Sequence, residues 1–258
     1  MSRDLAVTTE GHVAVIEIQR PPLNYFDLQL IRDIADALDT TDADSSIRAV
    51  VLAAQGKAFC AGANFSMPPP NNSDGTQPQD GGHLYIEALR IFRSRKPIVA
   101  AVHGAAIGGG LGLAMSADFR VTCPAARFSA NFTRLGFHPG FGLTVTLPEA
   151  IGKTNAELMF YTSRRITGEQ ALAMGLVTVL VDQDQVRAAA LFLAHEISEC
   201  SPLGVLATRA TMRAGLAERI KEATDHELIE QNRLRQTDDF REGIESTTAR
   251  RAATFTGR

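Results

Sequence analysis

The chain has 258 residues, of which 45% are hydrophobic and 21% charged, with a formal net charge of −3. That balance suits one sizeable globular core and gives no electrostatic case for nucleic acid or an anionic membrane surface. Cys60, Cys123 and Cys200 are too few and too scattered for a disulfide framework or a zinc site. No run approaches ~18 apolar residues and residues 1–10 hold no apolar leader core, so a soluble cytoplasmic protein is expected.

In chain order, residues 12–18 (HVAVIEI) read as a strand that the RPPLN segment at 20–24 breaks. Leu28, Ile31, Ile34 and Leu38 then fall at helical spacing behind Asp27, a plausible N-cap. AVVLAA at 49–54 and PIVAAV at 97–102 are short, wholly apolar runs, the pattern of parallel strands covered on both faces. Residues 67–82 (MPPPNNSDGTQPQDGG) are too poor in apolar side chains to order themselves, and read either as a surface excursion or as a flap over a substrate. Residues 142–180 alternate apolar helical segments with Gly152, Gly168 and Gly175. From Pro202 the pattern is helical and densely charged. An α/β fold is predicted, with a β/α core over 1–195 and a helical region over 196–258.

The chemistry sits in two small-residue turns about fifty positions apart, KAFCAGAN at 57–64 and IGGGLG at 107–112. Each can bring bare backbone N–H groups close to a ligand, and two facing turns would make an oxyanion hole for a carbonyl gaining negative charge. Other motifs fail on spacing. Gly152-Lys153-Thr154 ends like a phosphate loop, but Leu147 stands where its first glycine belongs. The triple glycine does not continue as a dinucleotide fingerprint, and the six histidines lack ligand spacing, so no metal is expected. Cys60 reads as a small buried thiol rather than a nucleophile.

Taken together, KAFCAGA, RKPIVAAVHGAAIGGGLGLAMSADFRV, ARFSANFTRLGFHPGFG and the ARRAATFTGR tail form an ordered set. This set resembles the crotonase (enoyl-CoA hydratase/isomerase) superfamily, over residues 12–258. The resemblance implies a crotonase-like spiral of repeated β-β-α units with a C-terminal helical trimerisation region, and a homotrimer or hexamer. It implies no tightly bound cofactor, with coenzyme A entering as part of an acyl-CoA thioester substrate. The oxyanion amides fall on Ala63 and Gly109, with Gly110 opening a helix whose dipole faces the thioester oxygen. The segments lining coenzyme A fall on Asn24, Tyr25, Phe26, Lys57, Ala58, Phe59 and Ala61, and a C-terminal aromatic near the adenine falls on Phe255.

The same resemblance exposes a departure. The two glutamates of the family's hydratases fall on Gly112 and Phe132, and an aspartate used by other members falls on Gly140. None of the three can carry a proton, and a positioned acid or base is worth roughly 10²–10⁴-fold. His138, between glycines in GFHPGFG, is the first candidate to replace them, against the alternative of a histidine hydrogen-bonded within a turn. Asn64 and Asn131 can orient a water or carbonyl, Tyr85 and Glu87 could enter on closure, and Arg134 could bind a substrate carboxylate. The leading expectation is an acyl-CoA lyase or isomerase rather than an ordinary straight-chain hydratase. A catalytically silent acyl-CoA-binding homologue and a β-diketone hydrolase are the alternatives.

Overall fold

Runs of apolar residues with no polar alternation need cover on both faces, and the computed structural model, which describes residues 3–64 and 84–258, supplies it with two sheets wrapped in helices. The chain opens with an antiparallel pair, β1 (Leu5–Glu10) and β2 (Val13–Ile18), followed by α1 (Leu28–Ala43) and β3 (Ala49–Ala54). Asp27 caps α1 as expected, its carboxylate accepting the Leu30 N–H at 2.9 Å. After β3 come a three-residue strand β4 (Ala58–Cys60), α2 (Leu84–Arg93), β5 (Ile98–Val102), a second short strand β6 (Ala105–Ile107) and α3 (Gly109–Ser116). β7 (Phe119–Thr122) and β8 (Arg127–Ser129) precede α4 (Leu143–Ile151) and α5 (Lys153–Thr162). β9 (Ile166–Thr167), α6 (Gly168–Ala173), β10 (Val179–Leu180) and α7 (Val186–Glu199) follow. Three helices end the chain: α8 (Pro202–Met212), α9 (Leu216–Leu234) and α10 (Asp238–Thr248).

The larger sheet runs β1-β2-β3-β5-β7-β10, parallel from β2 onward, and the smaller runs β4-β6-β8-β9, parallel except for β8 with β9. β4 and β6 were not legible in the sequence, because three-residue strands carry no periodicity. They correct the expectation that the glycine turns follow the long buried strands directly. The turns follow a second sheet, fed by β3 and β5 through short connections. Among the described residues no helix is long and apolar enough to cross a membrane. Residues 67–82 lie within the segment 65–83, outside the described residues.

The expected division at residue 195 falls inside α7, which packs on β3, β5 and β7, so the last core helix continues to Glu199. Beyond it, α8 is tied back to the sheet by charge. The Asp118 carboxylate takes the Arg209 Nε at 2.9 Å and the Arg213 Nη1 at 2.9 Å, and also accepts the Ile98 N–H at 2.8 Å. This half-buried three-way bridge orders its partners where two separate surface pairs would contribute little. α9 packs on α2 and α4, and α10 packs on a 3₁₀ turn at Thr133–Leu135.

The α10 contact is backbone on backbone. A Cβ on Gly243 would collide with the Leu135 carbonyl carbon, and one on Gly136 (φ +66°) would lie 2.8 Å from the Phe240 nitrogen. Backbone obstacles cannot rotate aside, so Gly243→Ala should push α10 off the core at a cost of about 1–3 kcal/mol. Urea melts of the variant check this, and an unchanged midpoint would show that the helix has room to shift.

Candidate active site

β4, β6 and β8 are consecutive parallel neighbours, so the segments after their carboxyl ends emerge side by side. That geometry brings residues 61–64, the start of α3 and residues 130–132 to one edge of the smaller sheet. They form one wall of a cavity of about 320 Å³. The remaining walls come from Tyr25 and Phe26, the first turn of α2, residues 135–141, α9 and α10.

The approach of the two turns depends on missing side chains. A Cβ on Gly110 would collide with the Cys60 carbonyl oxygen, and one on Gly62 (φ +83°) would lie 2.8 Å from the Ile107 oxygen and 3.6 Å from the Gly109 nitrogen. Phe26 locks the first turn by donating its N–H to Gly62 O at 3.0 Å, and its ring lies where a Gly109 Cβ would be. Gly108 (φ +56°) N-caps α3 and donates to Ser129 O at 2.8 Å, joining the second turn to β8. Ala63 and Gly109 both line the cavity. No acceptor among the described residues takes either N–H, as the first turn of a helix requires for Gly109. Two unpaired amides lining one cavity, one of them at the N-terminus of α3, can stabilise an oxyanion. Cys60 behind them is fully buried, and burial pushes its thiol up to about 12, so it stays a protonated packing group.

The positions without acids are closed by aromatic groups. Phe141 covers Gly112, where a Cβ would lie 2.6 Å from the phenylalanine Cβ. Phe132 lines the cavity and stacks on Phe137 at 6.4 Å. At Gly140 a Cβ would collide with the Tyr85 hydroxyl and the Gln231 amide nitrogen. Tyr85 therefore reaches from α2 into space that a side chain at 140 would occupy. Its hydroxyl donates to Gln231 Oε1 at 2.9 Å, while Gln231 Nε2 donates to His138 O at 3.0 Å and Pro139 O at 3.3 Å. Burial, and then the nearby Glu227 charge, push this phenol well above its ordinary value, so it is a neutral hydroxyl at physiological pH.

The sequence candidates divide clearly. Ala63, Gly109, Tyr25, Phe26 and Ala61 line the cavity. His138 does not: its Nδ1 lies 2.8 Å from Pro139 O and its ring meets His226 edge-on at 6.0 Å, the arrangement of a turn histidine. Asn24 is fully buried, donating from Nδ2 to Gln55 O at 2.6 Å and Ala58 O at 2.7 Å and accepting the Arg20 N–H, so it braces the loop beneath the site. Lys57 is exposed, Ala58 and Phe59 are buried in β4, and Phe255 lies on the tail; none of them lines the cavity. Nor do Glu87, paired with Arg32 and Arg90, and the exposed Arg134.

Gln231, Arg235 and Arg165 also line the cavity and escaped the sequence reading. Glu227, Gln231 and Arg235 repeat every four residues, a polar stripe on the face α9 turns inward, but inward faces are normally read from apolar periodicity. Glu227 is fully buried beneath the site. Its carboxylate accepts the Gly142 N–H at 2.9 Å, the Thr144 N–H at 3.2 Å and the Thr144 hydroxyl at 2.6 Å, holding the start of α4.

The model of the family described as enoyl-CoA hydratase/isomerase matches residues 8–258. The chain belongs to that family. Among curated members of the enoyl-CoA hydratase/isomerase family, it is 35% identical to a probable enoyl-CoA hydratase of Mycobacterium tuberculosis over 88% of both chains. It is 31% identical to the (E)-benzylidenesuccinyl-CoA hydratase of Thauera aromatica, covering 98% of this chain and 100% of that one. Among solved structures, an enoyl-CoA hydratase/isomerase from Pseudoalteromonas atlantica superposes with a TM-score of 0.88 at 29% identity, covering 98% of this chain and 100% of that one. The mixed α/β architecture with its parallel sheets is thus the crotonase fold.

The tail carrying Phe255 is clamped to α10. Thr254 N–H donates to Glu242 at 2.7 Å, and Thr256 and Gly257 N–H groups donate to Asp239 at 2.6 and 2.9 Å. The hydrogen bond from Arg251, then that from Thr254, hold the Glu242 carboxyl down to about 2. A depressed acid contributes fully above its ordinary value near 4.5 and loses its contribution as pH falls through the folded value. The Thr254 amide should stay protected from hydrogen exchange at pH 4 and lose protection toward pH 2, whereas Glu242→Gln should lose it at pH 7. Equal protection in the two proteins at pH 7 would exclude the clamp.

Proposed function

We propose that the chain acts on an acyl-CoA thioester whose carbonyl oxygen is received by the Ala63 and Gly109 amides, and that Tyr85 moves the proton. The observation that carries this reading is the pairing of two free backbone amides in a cavity lined by no carboxylate and no imidazole among the described residues. The family's members are named for hydration of CoA thioesters with different acyl groups, which makes the thioester the shared element.

A buried phenol is a weak acid whose conjugate base forms reluctantly, so it does not activate water as a carboxylate does. It does suit the opposite task. A thioester enolate released when a bond to its α-carbon breaks is far more basic than a phenolate and takes the Tyr85 proton. The oxyanion amides stabilise the enolate until that transfer. The phenolate is then reprotonated from water, with the Gln231 side chain beside its oxygen. The supported activity is a lyase step through an enolate, in which the bond to the α-carbon breaks, its electron pair stays with the enolate and the other fragment leaves without it, with coenzyme A as part of the substrate.

A second reading is favoured by the same missing carboxylates: a silent homologue that binds acyl-CoA without turnover. Assay of the purified protein against a thioester panel separates the two. Turnover on at least one member is expected, with Tyr85→Phe lowering kcat by roughly 10²–10⁴-fold while KM is largely kept. His138→Ala should stay within about twofold of the parent, since the imidazole lies off the cavity. Thermal stabilisation by CoA thioesters with no turnover on any would establish the silent reading, and a normal rate in Tyr85→Phe would remove the phenol from the mechanism.

A further inference from the structure

The charged side chains lining the cavity, among the described residues, are Arg165 and Arg235, and both are cationic. Arg165 sits exposed at the rim, just before β9. Arg235 is half-buried at the end of α9, with its guanidinium carbon 5.1 Å from the centre of the Phe137 ring. Stacking on an aromatic face fixes the plane of a guanidinium and leaves its edge donors directed sideways. No described carboxylate pairs with it. Glu227 is taken by Gly142 and Thr144, Glu230 is paired with Arg233, and Asp238 is paired with Arg241. Burial lowers the Arg235 pKa from its ordinary value, the mark of a cation desolvated without a counter-ion. An arginine in that state in a ligand cavity fits an incoming anion.

The position of Arg235 indicates which part of the ligand carries the charge. Phe132 approaches Gly108 at the head of α3, Phe137 stacks on Phe132, and Arg235 covers Phe137. This series leads from the oxyanion turn toward α9 and α10. Tyr25 and residues 55–58, where the family resemblance puts coenzyme A, lie instead before and at the start of β4, with Asn24 bonded to Gln55 O and Ala58 O.

We propose that Arg235, assisted by Arg165, receives a carboxylate on the acyl portion of the thioester, so that the site selects acyl-CoA substrates with an anionic acyl tail. The proposal rests on the thioester reading above. A phosphate of coenzyme A has the same chemistry, and the test separates the two sources.

Dissociation constants are measured by calorimetry on the full chain with butyryl-CoA and glutaryl-CoA, saturated thioesters that differ chiefly in a terminal carboxylate and do not react. The same pair of acyl groups is tested on pantetheine, which lacks the phosphates. Glutaryl-CoA should bind about tenfold or more tightly than butyryl-CoA, with the preference kept on pantetheine. Arg235→Met, which retains an apolar stem over Phe137, should bring the two acyl groups to the same affinity, and Arg235→Lys should restore part of the difference. Equal affinities in the parent protein overturn the proposal while butyryl-CoA binding still upholds the thioester reading. Proportional weakening of both CoA thioesters in Arg235→Met, with no change on pantetheine, assigns the arginine to a phosphate and also overturns it. Failure of every thioester to bind removes the thioester reading itself.

Discussion

The whole site depends on one close contact between two stretches of bare backbone, the Cys60–Gly62 turn against Ile107–Gly110. Side chains at 62 or 110 would meet carbonyl oxygens that have nowhere to go. Because the contact is between peptide groups, it has little tolerance. Its reward is chemical, since it leaves the amides of Ala63 and Gly109 unpaired at the same cavity edge. Neither turn would hold this position alone. Phe26 pins one through Gly62 O, Ser129 pins the other through the Gly108 N–H, and adjacent strands of the smaller sheet set their spacing.

From this contact outward, the cavity is completed by parts distant in sequence. α2 contributes Tyr85, and α9 contributes Gln231, which grips that phenol and the backbone at 138–139 at once. Gly140 is the space that permits the arrangement. The same helix holds α4 in place through Glu227 and presents Arg235 over Phe137. A long helix with buried polar side chains costs desolvation, which the hydrogen bonds to Glu227 and Gln231 offset. In return it joins three walls of the site into one hydrogen-bonded unit.

Much of the fold was legible in the sequence. The helix behind Asp27, the buried runs at 49–54 and 97–102 and the helical C-terminal region stand where periodicity puts them. The smaller sheet was not, because β4, β6 and β8 have three residues each, too short for any period. α7 runs on to Glu199, four residues past the position 195 at which the sequence reading ends the core. Within the site, the glycine turns were legible because a left-handed or sterically crowded backbone position demands glycine.

The sequence by itself determined the local backbone chemistry: where glycines permit close approach, where strands are buried on both faces, and that residues 112, 132 and 140 carry no acid. Only the tertiary structure decided which side chains share the cavity. His138 lies seven residues from Asn131, on the same segment, yet its ring turns toward Pro139 and His226. Tyr85 and Gln231 are 146 residues apart and meet at 2.9 Å. Orientation of this kind follows from how α2 and α9 pack across the core. Packing depends on the summed contacts of many distant residues, and no short spacing in the chain encodes it.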